Sequence, residues 1–142
     1  MSINWGFIGA GMVAEKALTP AVRAAGNANL YAVASRDIKR AQALKPEIAY
    51  DNYEELLNDP KVDAVYISLP NNLHKELSIK ALNAGKHVLC EKPLAMNYAQ
   101  AQEMFAVAKS NNRLLVEAIW FRFHPRTNKM MQVVADAEIG EP

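Results

Sequence analysis

A glycine turn set between two elements of different period constrains this chain most. Ile3–Ile8 is a short β-type apolar run, and Met12–Ala25 reads as a helix that Pro20 should bend or shorten. Between them stands Gly9-Ala10-Gly11-Met12-Val13-Ala14, a G-x-G-x-x-A sequence that follows a strand and opens a helix. Gly9 permits a tight turn, and Gly11 lets the backbone approach a pyrophosphate. Ala14 is small enough for the helix to pack on a sheet. Free N–H groups and the positive dipole end at the helix start favour phosphates. The pattern points to a dinucleotide; the plainer alternative is a glycine-rich turn with no ligand.

The rest of the chain alternates in the same way. Apolar runs at Leu30–Ala34, Ile48–Tyr50, Val62–Leu69, His87–Cys90 and Leu114–Ile119 read as strands. Val62–Leu69 is the clearest, and its near-continuous apolar character suits a strand covered on both faces. Helical stretches lie between the strands at Ile38–Leu44, Tyr53–Leu57, Leu73–Ala84 and Asn97–Ser110. Leu73, Leu77, Ala81 and Ala84 form one stripe, Gly85 is placed to end that helix, and Asn97 is placed to cap the next. A last helix opens at His124-Pro125 and runs to about Ala137. This alternation predicts an α/β fold, a doubly wound parallel sheet with right-handed crossovers. Ligands in such sheets lie at the carboxyl ends of the strands. Five segments should therefore converge there: Gly9–Ala14, Ser35–Asp37, Pro70–His74, Glu91–Pro93 and Trp120–His124.

Composition narrows the field. The 142 residues suit one domain of ordinary size. Sixteen Lys and Arg against fifteen Asp and Glu leave a net charge of +1, which gives no nucleic-acid footprint and no polybasic membrane patch. The one cysteine, Cys90, can form neither an internal disulfide nor a multi-thiolate metal site. No metal-ligand spacing is present, so no metal is expected. No apolar run approaches about 18 residues, and the start lacks a secretory pattern, so the expected location is the cytoplasm.

The strand ends carry the candidate chemistry. At Ala34-Ser35-Arg36-Asp37, a hydroxyl and a guanidinium stand where an acid would bind a ribose 2′-OH. Both can bond phosphate oxygens, and Lys39 or Arg40 could add charge, which favours NADP. The competing reading makes Asp37 the ribose acid and the cofactor NAD. In Leu69-Pro70-Asn71-Asn72-Leu73-His74, Asn72 could simply cap a helix, and His74 could either lie against a nicotinamide ring or serve the surface. Lys92 in Glu91-Lys92-Pro93 could move a proton beside a carbonyl or hydroxyl; the alternative is a solvated lysine with a structural glutamate. If the sixth strand continues, Trp120, Arg122 and His124 share one face and Phe121 and Phe123 the other. Met130, Met131 and Val134 read as helix-packing residues.

These blocks together resemble the glucose–fructose oxidoreductase, inositol dehydrogenase and rhizopine-catabolism family (Gfo/Idh/MocA). The matching pieces are Gly6–Ala14, Ala34–Asp37, Val62–His74, Gly85–Ala95 and Glu117–Pro125, in the family's order, and the last looks most like its dihydrodiol dehydrogenase-like branch. The resemblance implies a nicotinamide-dependent oxidoreductase acting on a small sugar, polyol or related hydroxyl or carbonyl compound. It implies cofactor contacts at Gly9, Ala10, Gly11, Met12, Val13, Ser35, Arg36, Leu69, Pro70, Asn71, His74, Glu91, Lys92, Trp120 and Arg122. It also makes Lys92 the catalytic lysine.

Family members continue into a second domain on a mostly antiparallel sheet, which brings most of the substrate pocket and forms the usual dimer. The expectation is thus a nucleotide-binding Rossmann domain over 1–120 and the start of a truncated substrate domain over 121–142. Such a chain should bind cofactor yet turn over poorly, and the family's dimer does not carry over to it. The alternatives are a stand-alone NAD(P)-binding module or sensor, and a site for another nucleotide such as a CoA moiety.

Overall fold

Successive residues of β1 (Ile3–Ile8) point to opposite sides of the strand. Phe7 belongs to one core cluster and Ile8 to another, and both are fully buried. β1 is therefore an interior strand with apolar layers on both faces. A computed structural model describes residues 2–138 and 140 of the chain.

After the glycine turn a helical run over 12–24 begins. Its middle, Ala14–Leu18, winds as a π-helix before α1 (Thr19–Ala24). Pro20 has no N–H for a bond to the carbonyl four residues back. The Thr19 N–H reaches back to the Ala14 carbonyl instead. The expected bend is thus absorbed as one wide turn, and the helix continues.

The remaining elements are β2 (Ala28–Ala34), α2 (Ile38–Ala43), β3 (Ile48–Tyr50), α3 (Tyr53–Asn58), β4 (Ala64–Ile67), α4 (His74–Asn83), β5 (His87–Cys90), α5 (Tyr98–Ser110), β6 (Leu115–Glu117) and α6 (Pro125–Ala135). A 3-10 turn at Asn71–Leu73 leads into α4, and another at Trp120–Phe123 precedes α6. Local chemistry sets several boundaries. Asn97 caps α5 by accepting the Gln100 N–H. Gly85, at φ +77°, ends α4 in a Schellman arrangement: Lys86 N–H bonds Ala81 O, and Gly85 N–H bonds Leu82 O.

Among the described residues the six strands are all parallel, in the order β3-β2-β1-β4-β5-β6. This is the Rossmann arrangement, with its switch point between β1 and β4. The registers Ile8↔Ala34, Ile8↔Ile67, Ile67↔Cys90 and Cys90↔Glu117 bring five strand ends level. Hydrogen bonds carry the ladder one residue further, from Gly9 N to Ala34 O, Ser68 N to Ile8 O, Glu91 N to Ile67 O and Ala118 N to Cys90 O, at 2.7–3.0 Å. The residues that follow these strands are thereby lined up along one edge.

One apolar layer joins β-strand residues such as Ile8, Val65 and Ile67 to Leu56, Leu77, Leu82 and Met104 from α3, α4 and α5. The other joins Phe7, Val33 and Tyr66 to Val22 and Ala41 from α1 and α2. Cover on this second face thins toward β6, where Val116 is exposed and borders an apolar groove with Trp5, Leu89 and Phe123.

Three expectations need correction. The fourth strand is shorter than Val62–Leu69, because Val62 turns its N–H to Asp59 O and serves the core from a turn. The sixth strand does not continue through Trp120–His124. Once β5 ends and its chain turns away, β6 makes no ladder bond beyond Ala118 N–H to Cys90 O, and the chain winds into a 3-10 turn closed by Arg122 N–H to Ile119 O and His124 N–H to Phe121 O. Trp120, Arg122 and His124 therefore do not share a strand face. His124 instead caps α6 by accepting the Arg126 N–H. None of the described residues of α6 is buried, so Met130, Met131 and Val134 pack no core within the described chain. Residues 139, 141 and 142, in the tail expected to lead toward a second domain, lie outside the described residues. Among the described residues no helix is long and apolar enough to cross a membrane.

Candidate nucleotide site

The glycine turn is clamped to the end of β4. Gly9 sits at φ +99°, and a Cβ there would stand 2.7 Å from the Ser68 carbonyl oxygen. The Ser68 hydroxyl donates to the Gly9 carbonyl over 3.2 Å. The positive φ and the lack of room for a Cβ require glycine at this position. Gly11 is different. A Cβ at Gly11 would find only the Ser68 carbonyl, at 4.0 Å, so packing within the protein does not explain this glycine. The space beside its Cα, at the start of the helix, suits a pyrophosphate that must come close to the backbone. Ala14 is fully buried and seats the helix on the sheet. Met12 and Val13 leave their side chains exposed.

On one flank of the turn lies a cavity of about 520 Å³, lined by Gly9, Ala10, Gly11, Ser35, Arg36, Asp37, Arg40, Tyr53, Ser68, Leu69 and Pro70. Ser35 is buried, and its hydroxyl accepts the Asp37 N–H at 3.3 Å. Asp37 caps α2 by accepting the Lys39 N–H at 3.0 Å. Its carboxylate is therefore partly spent on the cap. The Arg40 guanidinium donates to the Ala10 carbonyl over 2.9 Å, so Arg40 rather than Lys39 brings the second cation to this cavity. Arg36 lines it with an exposed side chain.

On the other flank a second cavity of about 520 Å³ is mostly apolar. Val13, Leu18, Leu89, Ala118, Ile119, Trp120 and Phe123 line it together with Glu91. The Glu91 carboxylate is held at both oxygens: Oε1 accepts from the Tyr66 hydroxyl at 2.8 Å and Oε2 from the Lys92 N–H at 3.3 Å. Tyr66 is fully buried, with its ring edge-on to Phe7 at 5.1 Å. Burial, with Glu91 beside it, drives the Tyr66 hydroxyl pKa far up, so it remains a donor. Lys92 is exposed and precedes a cis peptide to Pro93, and Leu94 N–H donates to Glu117 Oε1 at 2.8 Å.

His74 is neither at the surface nor in the lining of either flank cavity, so it fits neither of its two expected places. It is 1% exposed, with Nδ1 2.9 Å from Pro93 O and Nε2 2.9 Å from Leu69 O. It faces inward and joins the two loops from behind. Asn71 and Asn72 are exposed on the 3-10 turn, and neither the turn nor α4 has a side-chain cap, so Asn72 does not cap. Arg122 lines a separate recess with Phe121, Thr127 and Met131 and is not brought to either flank cavity. Tyr53, Ser68 and Tyr66 were missed from the sequence. A tyrosine in an otherwise aliphatic strand was the one available signal for Tyr66.

Residues 3–118 match the sequence model of an oxidoreductase family with an NAD-binding Rossmann fold. The chain belongs to the Gfo/Idh/MocA family. Among curated relatives, trans-1,2-dihydrobenzene-1,2-diol dehydrogenase of Sus scrofa is 40% identical over 147 residues, covering 99% of this chain and 44% of its own. An uncharacterized oxidoreductase of Rhizobium meliloti is 38% identical, covering 98% of this chain and 43% of its own. Among solved structures, a 3-ketoreductase from Actinomadura kijaniata in complex with NADP and TDP-benzene superposes with a TM-score of 0.91 at 38% identity. It covers 99% of this chain and 44% of its own. An NAD binding oxidoreductase from Klebsiella pneumoniae gives 0.92 at 38%, covering 100% and 41%. This Gfo/Idh/MocA chain thus spans less than half the length of the relatives it matches. The family's nucleotide domain binds NAD, and similar structures contain NADP.

Proposed function

We propose that this chain is the dinucleotide-binding part of an NADP-preferring oxidoreductase that acts on a sugar, polyol or related hydroxyl or carbonyl compound. The observation that carries the preference for NADP is the cavity beside Ser35. Arg36 and Arg40 bring two cations to it, while the nearest acid, Asp37, is engaged in capping α2. Ser35, Arg36 and Arg40 hold the 2′-phosphate in this reading, and Gly9 to Val13 hold the pyrophosphate. Leu69 and Pro70, which line the cavity beside Ser35, and Asn71 next to them are cofactor contacts in the same reading. Glu91 and Trp120 face the nicotinamide end. When bound, the nicotinamide ring supplies the hydride donor or acceptor. Lys92, exposed at the end of β5, gives or takes the proton at the substrate oxygen.

The substrate class rests on the relatives, a 3-ketoreductase and several dihydrodiol dehydrogenases. A cytoplasmic location belongs to the same proposal. So does a division near residue 120, supported by an α6 that buries none of its described residues. Arg122 is assigned to the substrate side, supported by the recess it lines with Thr127 and Met131 of α6. Calorimetric titration with NADPH and NADH tests the central reading. NADPH should bind at least about tenfold more tightly, worth about 1.4 kcal/mol. Equal affinities would remove the NADP preference, and absence of binding by both would remove the cofactor.

A further inference from the structure

We propose that Glu91, held in place by Tyr66, makes the cavity beside β5 discriminate by charge, favouring the oxidised, cationic nicotinamide over the reduced, neutral ring. This rests on the cofactor reading above. Among the described residues lining that cavity, Glu91 is the only ionisable one; its neighbours include Val13, Leu89, Ile119 and Trp120. Lys92 is exposed and does not line the cavity, and Glu117 commits an oxygen to the Leu94 N–H. An apolar wall screens charge less than water does, so one fixed carboxylate acts strongly on a ring that gains or loses a positive charge.

The carboxylate is fixed, not free to turn to solvent. Its backbone N–H continues the ladder to Ile67 O at 3.0 Å, and Oε1 meets the hydroxyl of a side chain with no exposure of its own. Tyr66 is thus a positioning residue: it acts on the ring through Glu91. Tighter binding of the oxidised form makes bound NADPH the stronger hydride donor.

Binding alone decides the matter. NADP⁺, NADPH and 2′,5′-ADP, which lacks the nicotinamide, would be titrated into the protein and its Glu91→Gln and Tyr66→Phe variants by calorimetry. Glu91→Gln should weaken NADP⁺ about tenfold, and leave NADPH and 2′,5′-ADP within about twofold. Tyr66→Phe should shift the NADP⁺ to NADPH ratio the same way, about threefold, and decides the question if the first variant does not fold. Equal losses for NADP⁺ and NADPH would overturn the proposal, as would an equal loss for 2′,5′-ADP, since either reports general damage to the site. If the unmodified protein binds neither nicotinamide nucleotide, the cofactor reading falls and takes this inference with it. If it binds both and the variants keep the ratio, only the inference falls.

Discussion

The His74 imidazole stands 2.9 Å from the Pro93 carbonyl, which couples the start of α4 to the loop that carries Lys92. The other ring nitrogen stands 2.9 Å from Leu69 O, so one buried side chain ties the loops after β4 and β5. His74→Phe would remove both links, leave two carbonyls without that partner and crowd a fully buried site. It should cost roughly 2–4 kcal/mol of stability, read by urea denaturation, and should also weaken cofactor binding. Wild-type stability in this variant would refute the coupling.

The two glycines of the turn should respond in opposite ways. At Gly9 a methyl group meets both a positive φ and the Ser68 carbonyl, so Gly9→Ala should lower stability by roughly 2–4 kcal/mol. Gly11→Ala has room within the protein and should change stability by less than about 0.5 kcal/mol. Its methyl group occupies the space assigned to the pyrophosphate, so NADPH affinity should still fall about tenfold or more. Thermal melts and titrations on both variants separate the two effects.

The arginines should differ as well. Arg36→Ala should reduce NADPH affinity about ten- to hundredfold and leave NADH nearly unchanged, because its side chain has no role in shaping the turn. Arg40→Ala also removes the bond to Ala10 O, so it should weaken both cofactors, NADPH more than NADH. An unchanged NADPH to NADH ratio in both variants would reject the 2′-phosphate assignment.

Alkaline pH should destabilise the fold through buried acids. Burial pushes the Cys90 thiol from 9.0 up to about 12, and burial together with the Asp59 hydrogen bond pushes Tyr50 from 10.0 up to about 12. Tyr66 shifts in the same direction. Above pH 9 the unfolded chain loses protons that the folded chain keeps, so stability falls as pH rises from about 9 toward 12. Chemical denaturation at pH 8, 9, 10 and 11 should show this decline. Cys90→Ala should remove the part that begins near pH 9 while lowering stability at every pH by the lost packing. A flat profile to pH 11 would contradict these shifts.

The sequence by itself determined the kind and order of the elements. Ile3–Ile8, Ile48–Tyr50 and His87–Cys90 end where their apolar runs end, and Asn97 and Gly85 bound their helices as their side-chain and backbone chemistry requires. Such signals depend on residues a few positions apart, and so they survive reading along the chain. The glycine turn and the Ser35-Arg36 pair were legible for the same reason.

Tertiary structure decided what faced what. His74 turned inward because two carbonyls, five and nineteen residues away, wait for it there. Tyr66 reached Glu91 because β4 and β5 pair in one register, and Trp120–Phe123 left the strand because β6 ran out of ladder. Periodicity specifies which side of a strand a residue occupies, but the parallel crossovers choose its neighbour, and those bring together groups that no local pattern links.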